Sequence, residues 1–122
     1  TDFMFARAKG FHGPFSTKKL SSKSYTKIQS DDFLSFVTEI VTSERQQTPN
    51  ISKDIYEKLE SFLSIILQEN SITFFLKQNQ IRKSKDKNEF DHEWSHALNE
   101  YYEFLIFNPS TDELFVLVLA YD

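Results

Sequence analysis

The final fifth of the chain limits the fold more than any other segment. Tyr101 to Phe107 and Glu113 to Tyr121 are two apolar-rich arms flanking Asn108-Pro109-Ser110-Thr111-Asp112. Asn, Pro, Ser and Asp are residues that turns select, so the segment reads as a β-hairpin with a five-residue loop. Its second arm is apolar without interruption from Leu114 to Ala120. Such a run predicts a central strand covered on both faces. At the rim of a sheet it would invite pairing with other chains.

Two helices are expected to supply the cover. Ser30 is suited to an N-cap, and Asp31 and Asp32 place negative charge at the positive end of a helix dipole. Phe33, Leu34, Phe36, Val37, Ile40 and Val41 follow at the spacing of one buried stripe. Gln46 to Asn50, with Thr48-Pro49, breaks the pattern. A second helix is expected from about Ser52 to Glu69, with Ile55, Leu59, Phe62, Leu63 and Ile66 as its stripe. Asn70 would stop it in the left-handed conformation. Further strands are expected over Phe3–Lys9, Tyr25–Ile28 (an edge strand guarded by lysine) and Ser71–Gln78, where Ile72, Phe74 and Leu76 share a face. Gly10 to Pro14 reads as a turn, and residues 79–90 as a polar loop. The expected fold is α+β, a mostly antiparallel sheet packed against a pair of helices in a single domain over residues 1–122.

With 122 residues and 13 Phe, 5 Tyr and 1 Trp, the chain can bury a substantial core. It has no cysteine, which excludes disulfides and thiolate chemistry and favours a reducing compartment. No uncharged run approaches the roughly 20 residues of a membrane span, and the N-terminus lacks the apolar core of a signal peptide. A cytoplasmic location is the expectation. The net charge of −4 is unevenly spread: residues 1–30 carry six bases and one acid, whereas residues 91–122 carry seven acids and no base. An acidic face repels nucleic acid and attracts basic proteins.

His92-Glu93-Trp94-Ser95-His96 has the H-E-x-x-H spacing of zinc peptidases. On a helix the two histidines would share a face for the metal, with Glu93 as general base. A third ligand is harder to find, because Asn99 and Tyr102 occupy the positions of the extended pattern. The strand expected from Tyr101 also leaves barely two helical turns. The plainer reading is two exposed histidines on a short connection. No cofactor is expected, and the sequence has neither a G-x-S-x-G elbow nor a phosphate-cradling glycine loop.

The segment from Glu93-Trp94 through Tyr102-Glu103-Phe104-Leu105-Ile106-Phe107-Asn108-Pro109, in a cysteine-free acidic chain ending Leu-Phe-Val-Leu-Val-Leu-Ala-Tyr-Asp, resembles bacterial toxin-immunity proteins. In particular it is similar to the immunity proteins of contact-dependent growth inhibition systems. The resemblance implies a non-enzymatic monomer that neutralises the C-terminal toxin domain of a cognate protein in a 1:1 complex, with no nucleic acid or membrane involved. Such toxins are often basic nucleases, ribonucleases among them, so acidic residues become candidate contacts: Asp31, Asp32, Glu89, Asp91, Glu93, Glu100 and Glu103. Tyr101 or Tyr102 is a candidate aromatic anchor, since one of an adjacent pair on a strand faces away from the core. Asp31 and Asp32 also have a plainer use at the helix N-terminus. The alternative function is a small zinc-dependent hydrolase using His92, Glu93 and His96.

Overall fold

The computed structural model describes residues 10–13, 15–18, 20–42, 53–77 and 100–121, with the side chains of Phe11, Glu100 and Tyr121 left aside. The expected strand over Phe3–Lys9 and the expected loop at 79–90 lie outside them. The elements are β1 (Phe11–His12), β2 (Phe15–Ser16), a 3-10 turn (Ser22–Ser24), β3 (Tyr25–Ile28), α1 (Ser30–Thr42), α2 (Lys53–Ile66), β4 (Ile72–Leu76), β5 (Glu100–Asn108) and β6 (Glu113–Tyr121). β1 and β2 form a small antiparallel ribbon, and the other strands form an antiparallel sheet in the order β3-β4-β5-β6. The fold class is α+β. The chain divides into two compact units: Thr1–Thr26, Phe75–Phe104 and Leu117–Asp122 form the first, and Lys27–Phe74 and Leu105–Val116 the second.

In the first unit, Phe15, Leu76 and Tyr101 are the buried centre, with Leu20 and Tyr25 packed against them. The β1–β2 ribbon pairs Phe11 with Ser16 and His12 with Phe15, and the Thr17 N–H closes it on the Gly10 carbonyl at 2.8 Å. Ser21 caps the 3-10 turn, its hydroxyl accepting from the Lys23 N–H while Ser24 returns the bond. The Lys77 N–H then donates to the Ser24 carbonyl at 2.9 Å. Phe75 and Phe104 stack with ring centroids 5.1 Å apart.

In the second unit, α1 buries Phe33, Val37, Ile40 and Val41, as the periodicity predicts. Its start differs by one residue: Phe33 N–H donates to the Gln29 carbonyl at 2.9 Å, so Gln29 is the cap and Ser30 is already helical. β3 runs to Ile28, which leaves only Gln29 between strand and helix. α2 buries Leu63 and Ile66, whereas Ile55 and Phe62 of the expected stripe are exposed. Its apolar arc is wider than its neighbours cover. Asn70 is not the left-handed stop, because Asp112 is the one described non-glycine residue with positive φ. A buried side chain from β5 ends the helix instead: Asn108 Nδ2 donates to the Ile66 carbonyl at 2.8 Å, and its Oδ1 accepts from the Ser71 hydroxyl. One of the carbonyls that every helix leaves open is thereby satisfied.

β6 departs most from expectation. Among the described strands it ends the sheet, with β5 as its neighbour. Leu114, 60% exposed, Val116 and Val118 face solvent, while Phe115, Leu117 and Leu119 are half-buried. A run that is apolar on both faces cannot report by hydropathy which face is covered. On β5 the buried side chains are Tyr101 and Glu103, then Phe104, Ile106 and Asn108. Successive residues point to opposite faces, so the buried face changes within the strand.

Asn108 and Thr73 make opposite predictions. Asn108→Leu strands the Ile66 carbonyl and should lower stability by about 2–3 kcal/mol. The Thr73 hydroxyl is buried with no hydrogen-bond partner among the described residues. Thr73→Val replaces it with a methyl of equal size and should raise stability by about 1 kcal/mol. Urea unfolding of both variants decides, and a Thr73→Val that destabilises would refute the account of that hydroxyl.

Candidate functional site

The most organised polar group in the first unit is Glu103, on β5 with a side chain 1% exposed. A buried carboxylate is tolerated only when its oxygens are bonded. Here donors arrive from three directions. His12 Nε2 on β1 lies 2.7 Å from Oε2 and 2.9 Å from Oε1. The Tyr25 hydroxyl, on the first residue of β3, donates to Oε1 at 2.8 Å. The Tyr101 hydroxyl donates to Oε2 at 2.8 Å from the same face of β5, two residues away. Phe15 holds the Tyr101 ring edge-on, with centroids 5.6 Å apart. Gly13, at φ +55, lets the β1–β2 turn pass against that ring: a Cβ there would sit 2.6 Å from the Tyr101 Oη.

Electrostatics follow from this arrangement. For Glu103 burial is the largest influence and pushes its carboxyl up, but hydrogen bonds from His12, Tyr101 and Tyr25 together outweigh it and hold the group below its ordinary 4.5. The His12 imidazole is raised above its ordinary 6.5, first by its hydrogen bond to Glu103 and also by that carboxylate's charge, against an opposing effect of burial. Burial first, and then the same carboxylate, pushes the Tyr25 hydroxyl well up. Both carboxylate oxygens are thus engaged, and the ribbon, β3 and β5 are tied through one group. His12 keeps 44% of its side chain exposed, so solvent screening limits what its charge contributes.

Several expected contact residues change character here. Glu103 and Tyr101, read from sequence as surface contacts, are buried and offer a partner no surface. Strand alternation turns both inward, and Tyr102 between them is half-buried. Asp31 and Asp32 are exposed in the first turn of α1, in the second unit. Glu100 opens β5, but its side chain is not described. Glu89, Asp91, Glu93 and the histidine pair His92 and His96 lie outside the described residues. Among those residues no group of three or more His, Asp or Glu side chains could hold a metal ion, and no helix is long and apolar enough to cross a membrane. The His12–Glu103 link was missed by sequence reasoning. Its signal was faint: Tyr101 and Glu103, two polar groups at strand spacing in an apolar segment, and a histidine between two turn glycines.

The second unit presents a different kind of site. Between α1 and α2 runs a groove of about 480 Å³ with Leu34, Val37 and Val41 on one wall and Leu59, Leu63 and Leu67 on the other. Exposed apolar side chains are also present on α2, where Ile65 is 73% exposed. By sequence this unit holds ten acids and four bases, a formal −6, against eight acids and ten bases, +2, in the first unit. No protein-family model matches the chain, and no curated protein or solved structure matches it either.

Two outcomes test the carboxylate network. Gly13→Ala forces a left-handed alanine onto the Tyr101 ring and should cost about 2–4 kcal/mol, read by thermal unfolding. The raised imidazole stabilises the fold fully below pH 6.5 and loses that contribution as pH rises through its folded value. The lowered carboxyl contributes fully above pH 4.5 and is lost as pH falls through its own folded value. The stability advantage of the wild type over His12→Gln should therefore be greatest between pH 4.5 and 6.5. A difference independent of pH would remove the ion pair from the account.

Proposed function

We propose that this chain is a binding protein of the immunity type, which neutralises a toxin domain with a basic active site by covering it, without turnover. The observation that carries the reading is the surface of the second unit. There nine acids against three bases among the described residues coincide with exposed Leu34, Ile55, Phe62, Ile65, Leu114 and Val116. Exposed apolar side chains mark association surfaces when they gather into patches. An acidic setting steers a basic partner onto them. The resemblance of residues 93–109 to contact-dependent growth inhibition immunity proteins supports the same class, and a nuclease, with its phosphate-binding site, is the target that fits. Glu103 belongs to the scaffold of this reading, since its oxygens are occupied within the chain. Asp31 and Asp32 are its exposed steering acids.

The test is a calorimetric titration against the toxin-like C-terminal domain encoded beside this chain. Nanomolar 1:1 binding with loss of that domain's toxicity is the expected result; no detectable heat and undiminished toxicity would overturn the proposal. Replacing both Asp31 and Asp32 by Lys should slow association and flatten its salt dependence more than it changes dissociation.

A further inference from the structure

We infer that the groove between α1 and α2 receives a short, basic amphipathic helix of the protein partner. The inference rests on the reading of this chain as a partner-binding protein and requires nothing of the partner's activity. Both walls are helical ridges: Leu34, Val37 and Val41 repeat at i, i+3 and i+7, and Leu59, Leu63 and Leu67 at i, i+4 and i+8. Ridges at this period mesh with the side-chain rows of another helix. A strand would find little open backbone there, because the walls are helical and most of their amides and carbonyls pair along the helices. A small apolar ligand fits less well, since Thr38, Glu60 and Ser64 in the lining are exposed and leave the groove open along its length. The wall from Leu34 to Val41 is about 10 Å long and that from Tyr56 to Leu67 about 16 Å, at 1.5 Å per residue, which accommodates two to three helical turns.

Charge selects which helix. Glu60 lies in the lining, and Asp31 stands one turn before Leu34 on α1. Neither has a cation beside it among the described residues. The lysines of α2 are engaged elsewhere, Lys53 with Glu57 at 3.7 Å and Lys58 with Asp54 at 2.9 Å. An incoming helix with leucines on one face and lysines on its flanks matches both the floor and the rim.

The probe is a synthetic helix of roughly 14 residues, with leucines at i, i+4, i+7 and i+11 and lysine flanks, beside a counterpart with glutamate flanks. Titrated into the isotope-labelled chain, the lysine helix should shift the backbone resonances of Leu34, Tyr56, Leu59 and Ser64. It should bind at least about tenfold more tightly than the glutamate helix. Glu60→Lys combined with Asp31→Lys should erase or invert that preference. Thr38→Arg, at an exposed position, should block both helices while the melting temperature stays near that of the wild type. Resonance shifts outside the groove, equal affinity for the two helices, or a dimer of this chain that Thr38→Arg dissociates would overturn the inference. With the toxin domain, unchanged affinity in Thr38→Arg sinks the groove and leaves the immunity reading standing. Binding of the lysine helix without binding of the toxin domain does the reverse.

Discussion

A carboxylate removed from water and given three donors is the interaction on which the first unit depends. Glu103 reaches His12, 91 residues away in sequence, and Tyr25, 78 residues away. Few other devices could locate a ribbon as short as β1–β2, whose own ladder involves two residues on each strand. Burying the charge is costly, and only full occupation of its oxygens offsets that cost. The demand propagates outward. Tyr101 must lie where its hydroxyl meets the carboxylate, Phe15 must brace its ring, and residue 13 must lack a side chain. A single titratable group thereby constrains five other positions.

The second unit is organised by an excess of apolar surface. α2 has leucines, isoleucines and a phenylalanine around more of its circumference than its neighbours can cover. Part of this surplus forms one wall of the groove, and part faces solvent as Ile55, Phe62 and Ile65. The acids on α1 and α2 surround such a surface with negative charge, and in the proposed reading that charge steers a partner of opposite sign onto it. Under that reading stability and recognition draw on the same helix, with Leu63 serving both because it is buried and also lines the groove.

Much of the fold was legible because it depends on local periodicity. The stripe of α1, the limits of β6 and the α+β order all follow from spacing and turn chemistry. What could not be read depends on which face is covered. β6 is apolar on both sides, so its place at the end of the described strands had no local signature. β5 changes its buried face between Glu103 and Phe104, which defeats any single alternation pattern. The end of α2 belongs to Asn108, a residue that local reasoning assigned to the hairpin loop. The candidate contacts divide in the same way. Asp31 and Asp32 were correctly placed at an exposed helix start, whereas Tyr101 and Glu103 were judged by residue type and are buried.

The exposed apolar side chains of β6 have a colloidal consequence. β3, at the other end of the described strands, is four residues long and carries Lys27, but β6 is nine residues long and its only charge is Glu113 at its start. With Leu114, Val116 and Val118 exposed and no base among its residues, repulsion between whole molecules is a main protection of this surface against association. That repulsion vanishes near the isoelectric point of about 5.4, inside the window where the His12–Glu103 pair holds most firmly. The chain's internal cohesion and its resistance to self-association are thus tuned to opposite pH. Mild acidification should favour association of folded molecules over unfolding.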